Sequence, residues 1–194
     1  MIIVIAPEER IQNESELINE LFQEGLDLLH LRKPFINRQE MEKFIQKIDM
    51  DFHSRLVLYS HYDIAREFNI SRFHFRETDR QNGLFKPFTG QLISTSVHDI
   101  ETFNTLHKKW DYAFISPVFP SISKKGYGKD STILNDMKKR SNSAVKLIAL
   151  GGINENNIHE VFNSGADGVA LLGTIWESNE PLKVFRKCRQ NVLS

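Results

Sequence analysis

The residues best placed to do chemistry stand near the C-terminal end of the chain, where apolar runs stop at small residues. One run, Val145-Lys-Leu-Ile-Ala-Leu-Gly151-Gly152-Ile153, ends in paired glycines, and a second, Gly168-Val-Ala-Leu-Leu172-Gly173-Thr174, ends in Gly-Thr. Glycine lets backbone N–H groups approach an anion where a Cβ would obstruct. A helix beginning near Asn154 would add partial positive charge. This pattern predicts a phosphate cradle built from Gly151 and Gly152 with Gly173 and Thr174. The plainer alternative is a pair of tight turns with no ligand.

Further upstream, Ser121 and Ser123 alternate beside Lys124. In an extended loop the two hydroxyls point to one side, and the lysine supplies a point charge suited to a pyrophosphate. Lys125, Gly126 and Gly128 predict a loop that closes over substrate. His30 and Arg32 share strand parity, so both face the same side. Arg32 can clamp two phosphate oxygens. Lys33 has the opposite parity and reaches that side only if the chain turns. Glu77 and Asp79 offer carboxylates for Mg2+ beside a pyrophosphate. His61 and His98 follow apolar runs, whereas His74 lies inside one and reads as a hydrogen-bonded core residue. No histidine shows metal-ligand spacing. Phe119 or Tyr127 is suited to contact a flat heterocycle; the remaining phenylalanines read as core.

The elements that must position these residues alternate along the chain. Candidate strands are 2–6, 28–33, 56–60, 72–76, 92–96, 112–118, 146–150 and 168–173. Helical stretches are 14–24, 39–49, 63–68, 100–109, 132–140, 155–164 and 181–191, and the connection 79–89 reads as a turn. Such alternation means βαβ units and a parallel sheet. Eight strands fit a closed (β/α)8 TIM barrel, a compact single domain over residues 1–194, smaller than the typical length of about 250. In that fold the chemistry sits at the C-terminal ends of the strands, where the polar residues above fall.

Composition excludes several function classes. The 25 basic and 25 acidic residues cancel, which argues against nucleic acid or a membrane surface as the main partner. No apolar run approaches the roughly 18 residues of a membrane span. The N-terminal Met-Ile-Ile-Val-Ile-Ala-Pro7 reads as a first strand rather than a signal peptide. Cys188 is the sole cysteine, so an internal disulfide is excluded. The expected compartment is the cytoplasm, and a homo-oligomer is compatible with the sequence.

At these residues the chain resembles the thiamine phosphate synthase/thiazole tautomerase superfamily over nearly its whole length. Ser116-Pro-Val-Phe-Pro-Ser-Ile-Ser-Lys124 is similar to the family's Gly-Pro-Val-Phe-x-Thr-x-Thr-Lys. Ser96-Val-His98 is similar to its Ser-x-His, and Gly151-Gly152-Ile153 to its Gly-Gly-Ile turn. The resemblance implies a TIM barrel that joins 4-amino-2-methyl-5-pyrimidinylmethyl diphosphate to thiazole phosphate, releasing pyrophosphate, with Mg2+ as cofactor. It implies Arg32, Lys124 and Ser96 on the pyrophosphate. His30, Lys33, Tyr59, Ser121, Ser123, Gly151, Gly152, Leu172 and Gly173 fall to the substrates, and Asp79 and Ser60 to the metal. Pro34 stands where the family has a lysine, Ser60 where it has a metal-binding aspartate, and Arg76-Glu77 where it has Gly-Gln.

Two rival readings share these residues. A tautomerase uses a histidine in the loop after the sixth strand, which falls at Pro117 here, though His30, His61 and His98 remain for an acid/base pair. The other rival is a barrel that binds a thiamine precursor without turnover.

Overall fold

A computed structural model describes residues 1–88, 90–122, 126 and 128–193. Eight parallel strands close a barrel in sequence order: β1 (Ile2–Ile5), β2 (Leu28–Leu31), β3 (Leu56–Leu58), β4 (Arg72–Phe75), β5 (Leu92–Val97), β6 (Tyr112–Ile115), β7 (Lys146–Leu150) and β8 (Gly168–Leu171). The barrel shuts where Ile3 of β1 registers with Ala170 of β8. The expected (β/α)8 architecture is therefore the observed one.

The helices are α1 (Glu14–Gln23), α2 (Arg38–Ile45), α3 (Glu77–Gln81), α4 (Ile100–Asn104), α5 (Ile133–Asp136), α6 (Ile158–Asn163), α7 (Gly173–Trp176) and α8 (Pro181–Leu193). Two connections differ from expectation. The stretch after β3 forms only a 3-10 turn, Tyr62–Ile64, bracketed by left-handed backbone at His61 (φ 53°) and Asn69 (φ 54°). The connection after β4, expected as a turn, instead opens with α3. Asp79 accepts from the Arg76 backbone N–H at 3.1 Å, satisfying a donor at the helix start.

Strand parity divides the apolar residues between two cores. Ile2, Val4, Leu29, Leu31, Leu56 and Leu58 face the helices, while Ile3, Ile5, Leu28, Val57, Phe114, Ile148 and Ala170 fill the barrel. Because both faces are covered, the strands read as nearly continuous apolar runs. The barrel interior also buries His30, His74 and Ser94.

At the bottom of the barrel one device recurs. Asp27, just before β2, accepts from the Ile2 N–H of β1 at 2.7 Å. Asp111, before β6, accepts from the Ile93 N–H of β5 at 2.6 Å, and Asp167, before β8, from the Leu147 N–H of β7 at 2.7 Å. Between β3 and β4 the register is a single pair, Leu58 with Phe73. No helix among the described residues is long and apolar enough to cross a membrane.

Candidate active site

The rim after β6, β7 and β8 is one bonded unit. The Val118 N–H donates to the Leu150 carbonyl and the Phe119 N–H to the Gly151 carbonyl, both at 3.0 Å. The ladder between β6 and β7 thus continues past the strand ends. Gly152 has φ +64°, and a Cβ there would lie 2.2 Å from the Pro120 carbonyl oxygen and 2.7 Å from the Phe119 Cβ. The close approach that demands glycine here is therefore to the chain's own 117–120 segment. The Thr174 hydroxyl donates to the Ile153 carbonyl, tying the start of α7 to the same turn.

Helix α6 does not begin near Asn154. Residues 154–157 form a turn in which the Asn157 side chain accepts from the Asn154 N–H at 2.9 Å, so α6 starts at Ile158. Leu172 precedes α7 and makes no side-chain capping bond. Ser121 is half-buried and follows this rim directly. Ser123, Lys124, Lys125 and Tyr127 lie outside the described residues. Beyond them the Gly128 backbone packs on Pro117, and the Ser131 hydroxyl donates to the Pro117 carbonyl.

Across the mouth, Arg32 stands one residue beyond β2 and pairs with Glu8 at 2.7 Å, both side chains about one-third exposed, at 34% and 32%. Ser96 lies near the end of β5, its hydroxyl 2.9 Å from His74 Nε2. His74 Nδ1 meets the Ser94 hydroxyl at the same distance. The His74 ring stacks between Tyr59, 4.4 Å away, and Phe114, 5.0 Å away. Burial is the main reason that its pKa falls to about 3.

Two residues expected at the substrates are buried against other side chains. His30 does face the barrel interior, but it is completely buried, with Nδ1 3.1 Å from the Tyr59 hydroxyl and Nε2 2.7 Å from the Tyr112 hydroxyl. Both of its ring nitrogens are thus engaged by tyrosine hydroxyls. Burial holds its pKa well below the usual imidazole range. Lys33 turns away from the mouth into the helix layer. Its ammonium donates to Glu14 at 2.7 Å and to the Glu9 carbonyl at 2.9 Å, and its side chain is 1% exposed. Parity alone could not show that Glu14 waits there. Tyr59 is half-buried just beyond β3, its hydroxyl bonded to His30.

The histidine pocket makes stability depend on pH. The unfolded chain takes up a proton on His74 below its ordinary value near 6.5, whereas the folded protein does so only near pH 3. The unfolded state then binds more protons, so stability falls as pH drops from 6.5 towards 3. At pH 5 the loss from His74 is about 2 kcal/mol, and His30 acts in the same direction. Urea unfolding at pH 7 and pH 5 should show this drop, and His74→Gln should shrink it. An equal drop in both proteins would contradict the assignment.

The donor set does not fit a magnesium ion. Asp79 is occupied by Arg76, whose Nε and Nη2 lie 2.9 and 3.3 Å from its two oxygens. Glu77 pairs with Arg80 at 3.0 Å. Ser60 brings a hydroxyl where a second carboxylate would be needed. Among the described residues no three His, Cys, Asp or Glu side chains gather as a metal centre.

Of the remaining histidines, His61 bonds the Ile36 carbonyl at 3.0 Å through Nε2, which leaves Nδ1 as its other ring nitrogen. His98 stays at the mouth, its Nδ1 on the Ser116 carbonyl at 3.0 Å. With His30 buried, the acid/base pair that a tautomerase would draw from these histidines loses one member. Ser94, Tyr112 and Glu8 are neighbours of these groups to which the sequence assigns no role of their own. Ser94 was findable, since it shares strand parity with Ser96. Two grooves on the flank beside Phe88 are lined by none of these groups.

Comparison with known proteins accords with this geometry. A family model described as thiamine monophosphate synthase matches residues 2–175. The thiamine-phosphate synthase of Clostridium tetani is 26% identical over 167 residues, covering 82% of this chain and 79% of the relative. The crystal structure of thiamine phosphate pyrophosphorylase from Bacteroides thetaiotaomicron superposes with a TM-score of 0.77 at 26% identity, covering 98% of this chain and 96% of the other. The thiamine phosphate pyrophosphorylase of Pyrococcus furiosus has the same fold, with a TM-score of 0.81 at 21% identity over 99% of this chain and 95% of the other.

Proposed function

The chain belongs to the thiamine monophosphate synthase family, and from that premise we propose that it joins a pyrimidinylmethyl diphosphate to thiazole phosphate in the cytoplasm. The observation that carries this reading is the bonded rim after β6, β7 and β8. There Val118 and Phe119 reach Leu150 and Gly151, and Thr174 reaches Ile153. That rim bonds the segment leading to Ser121 to the turn at Gly151 and Gly152, and it ties the start of α7 to the same turn, which supports assigning these neighbouring residues to one phosphate.

In the proposed reaction the bond between the pyrimidine methylene carbon and the diphosphate oxygen breaks first. The electron pair leaves with the diphosphate, and the thiazole nitrogen then attacks the resulting cation. Such a step needs cations and donors aimed at the leaving group rather than a strong base. Arg32, Lys124 and Ser96 take that role. Ser121, Ser123 and the backbone at Gly151, Gly152, Leu172 and Gly173 hold the thiazole phosphate, and Tyr59 forms the floor.

Glu8 must release Arg32 for a bidentate clamp to form. Mg2+ is the cofactor that family membership brings to mind. The pairing of Asp79 with Arg76 and the serine at position 60 supply no site for it.

The test is formation of thiamine phosphate from the two substrates by the full chain, beside Lys124→Ala. We expect product from the wild type and a fall of about 10²–10³ in kcat/KM for the variant, as for removal of one preorganised donor. An unchanged kcat/KM would remove Lys124 from the pyrophosphate side. Absence of product from folded wild-type protein would leave the non-catalytic binder, and isomerisation of a thiazole carboxylate phosphate would establish the tautomerase.

A further inference from the structure

We propose that His74 is a positioning residue whose single ring proton makes Ser96 a hydrogen-bond donor towards the substrate diphosphate. The inference rests on the synthase reading for the identity of the anion, and on the β4–β5 geometry for everything else. A neutral imidazole has one N–H and one lone pair. Here the two nitrogens face two hydroxyls, Ser94 and Ser96, each at 2.9 Å.

Only two arrangements satisfy the ring. In the first, Nε2–H donates to Ser96 and the Ser94 hydroxyl donates to Nδ1. The Ser96 proton is then free to point at the mouth. In the second, Nδ1–H donates to Ser94, and the Ser96 proton is used up on Nε2. Ser96 would then present only lone pairs to an incoming anion, which would repel it.

The surroundings favour the first arrangement. In the second, the Ser94 proton would need another acceptor: the Phe73 carbonyl stands at 3.4 Å, the far edge of hydrogen-bond reach, and the Tyr112 hydroxyl, which also meets Ser94, is engaged by His30 at 2.7 Å. In the first, that proton sits on Nδ1 at 2.9 Å. The ring cannot readily turn to escape the choice. It is buried and stacked between Tyr59 and Phe114, and Ser94 is itself 1% exposed. Ser96 is therefore a donor prepared before the anion arrives, which is the condition under which such a group contributes most to a developing negative charge.

The deciding measurement is 15N NMR of the histidine-labelled full chain, free and with saturating inorganic pyrophosphate. We expect His74 as the Nε2–H tautomer in both states. An Nδ1–H tautomer in either state overturns the proposal. The second measurement is a double-mutant cycle on pyrophosphate affinity by calorimetry. Ser94→Ala should weaken binding about 3–10-fold, the range of one hydrogen bond, and should have no further effect in Ser96→Ala protein. Additive effects would also overturn the proposal.

The synthase reading fails separately. If pyrophosphate does not bind the wild type, that reading loses its support, while the tautomer in the free protein still decides the role of His74. If product forms and His74 carries Nδ1–H, the synthase stands and the positioning role falls.

Discussion

Alanine at Gly152 is expected to cost about 2–6 kcal/mol of stability and to depress kcat/KM with it. Two physical terms add. The backbone at +64° lies in the left-handed region, which costs a residue with a Cβ about 1–3 kcal/mol. The new carbon would also stand 2.2 Å from the Pro120 carbonyl oxygen and 2.7 Å from the Phe119 Cβ. Crowding of that kind costs about 1–3 kcal/mol once neighbours shift.

The neighbours here lead directly to Ser121 and the loop beyond it, so the shift should appear as a raised KM for thiazole phosphate. Gly90 is the control. It is also left-handed, at +85°, but a Cβ there meets nothing within 4 Å. Gly90→Ala should therefore suffer the backbone term alone. Thermal unfolding and steady-state kinetics of both variants check the difference; equal losses would mean that the 117–120 segment yields freely.

Lys33→Met is expected to destabilise the protein by about 3–5 kcal/mol, because it strands a buried carboxylate. Burial already pushes Glu14 up and Lys33 down in pKa, each towards its neutral form. A pair in that state contributes little net stability, yet losing one member is costly. The Glu14→Leu/Lys33→Met double variant should recover most of the loss, and it should retain the catalytic constants of the wild type. A double variant that is stable yet has lost substrate affinity would return Lys33 to the binding site. Urea unfolding and the synthase assay on both proteins decide the matter.

These two residues also mark what could be read from the sequence. The eight strands were legible because helices cover the sheet on one face and the barrel interior on the other, so apolar runs mark them without a periodic pattern. Parity placed His30 on the interior face correctly. It could not say how deep His30 sits, and depth decides whether a residue meets a ligand or two tyrosines. Lys33 and Arg32 are adjacent in sequence, yet one meets Glu14 and the other Glu8. Those acceptors lie 19 and 24 residues earlier, beyond the reach of local spacing. Helix α3 escaped notice because its start signal is a carboxylate answering Arg76, a pair that the metal-site reading had assigned differently. The paired glycines read as room for an anion, whereas the contact that a Cβ at Gly152 would violate is with the chain's own Phe119 and Pro120.

The aspartates beneath the barrel have a consequence for how the protein breathes. Each joins an odd strand to the next even one, β1 to β2, β5 to β6 and β7 to β8, while β3 and β4 share only one register pair. Cooperative opening follows the distribution of such ties. The ring is then closed but unevenly sealed, and its easiest seam runs between Leu58 and Phe73. In native-state hydrogen exchange the amides bound to the aspartates, Ile2, Ile93 and Leu147, are expected in the slow class, and those along the β3–β4 seam in the fast one. The mouth above that seam carries Tyr59, Ser60 and Arg76, so a transient parting of two strands would widen the entrance on the side where a diphosphate is expected to arrive.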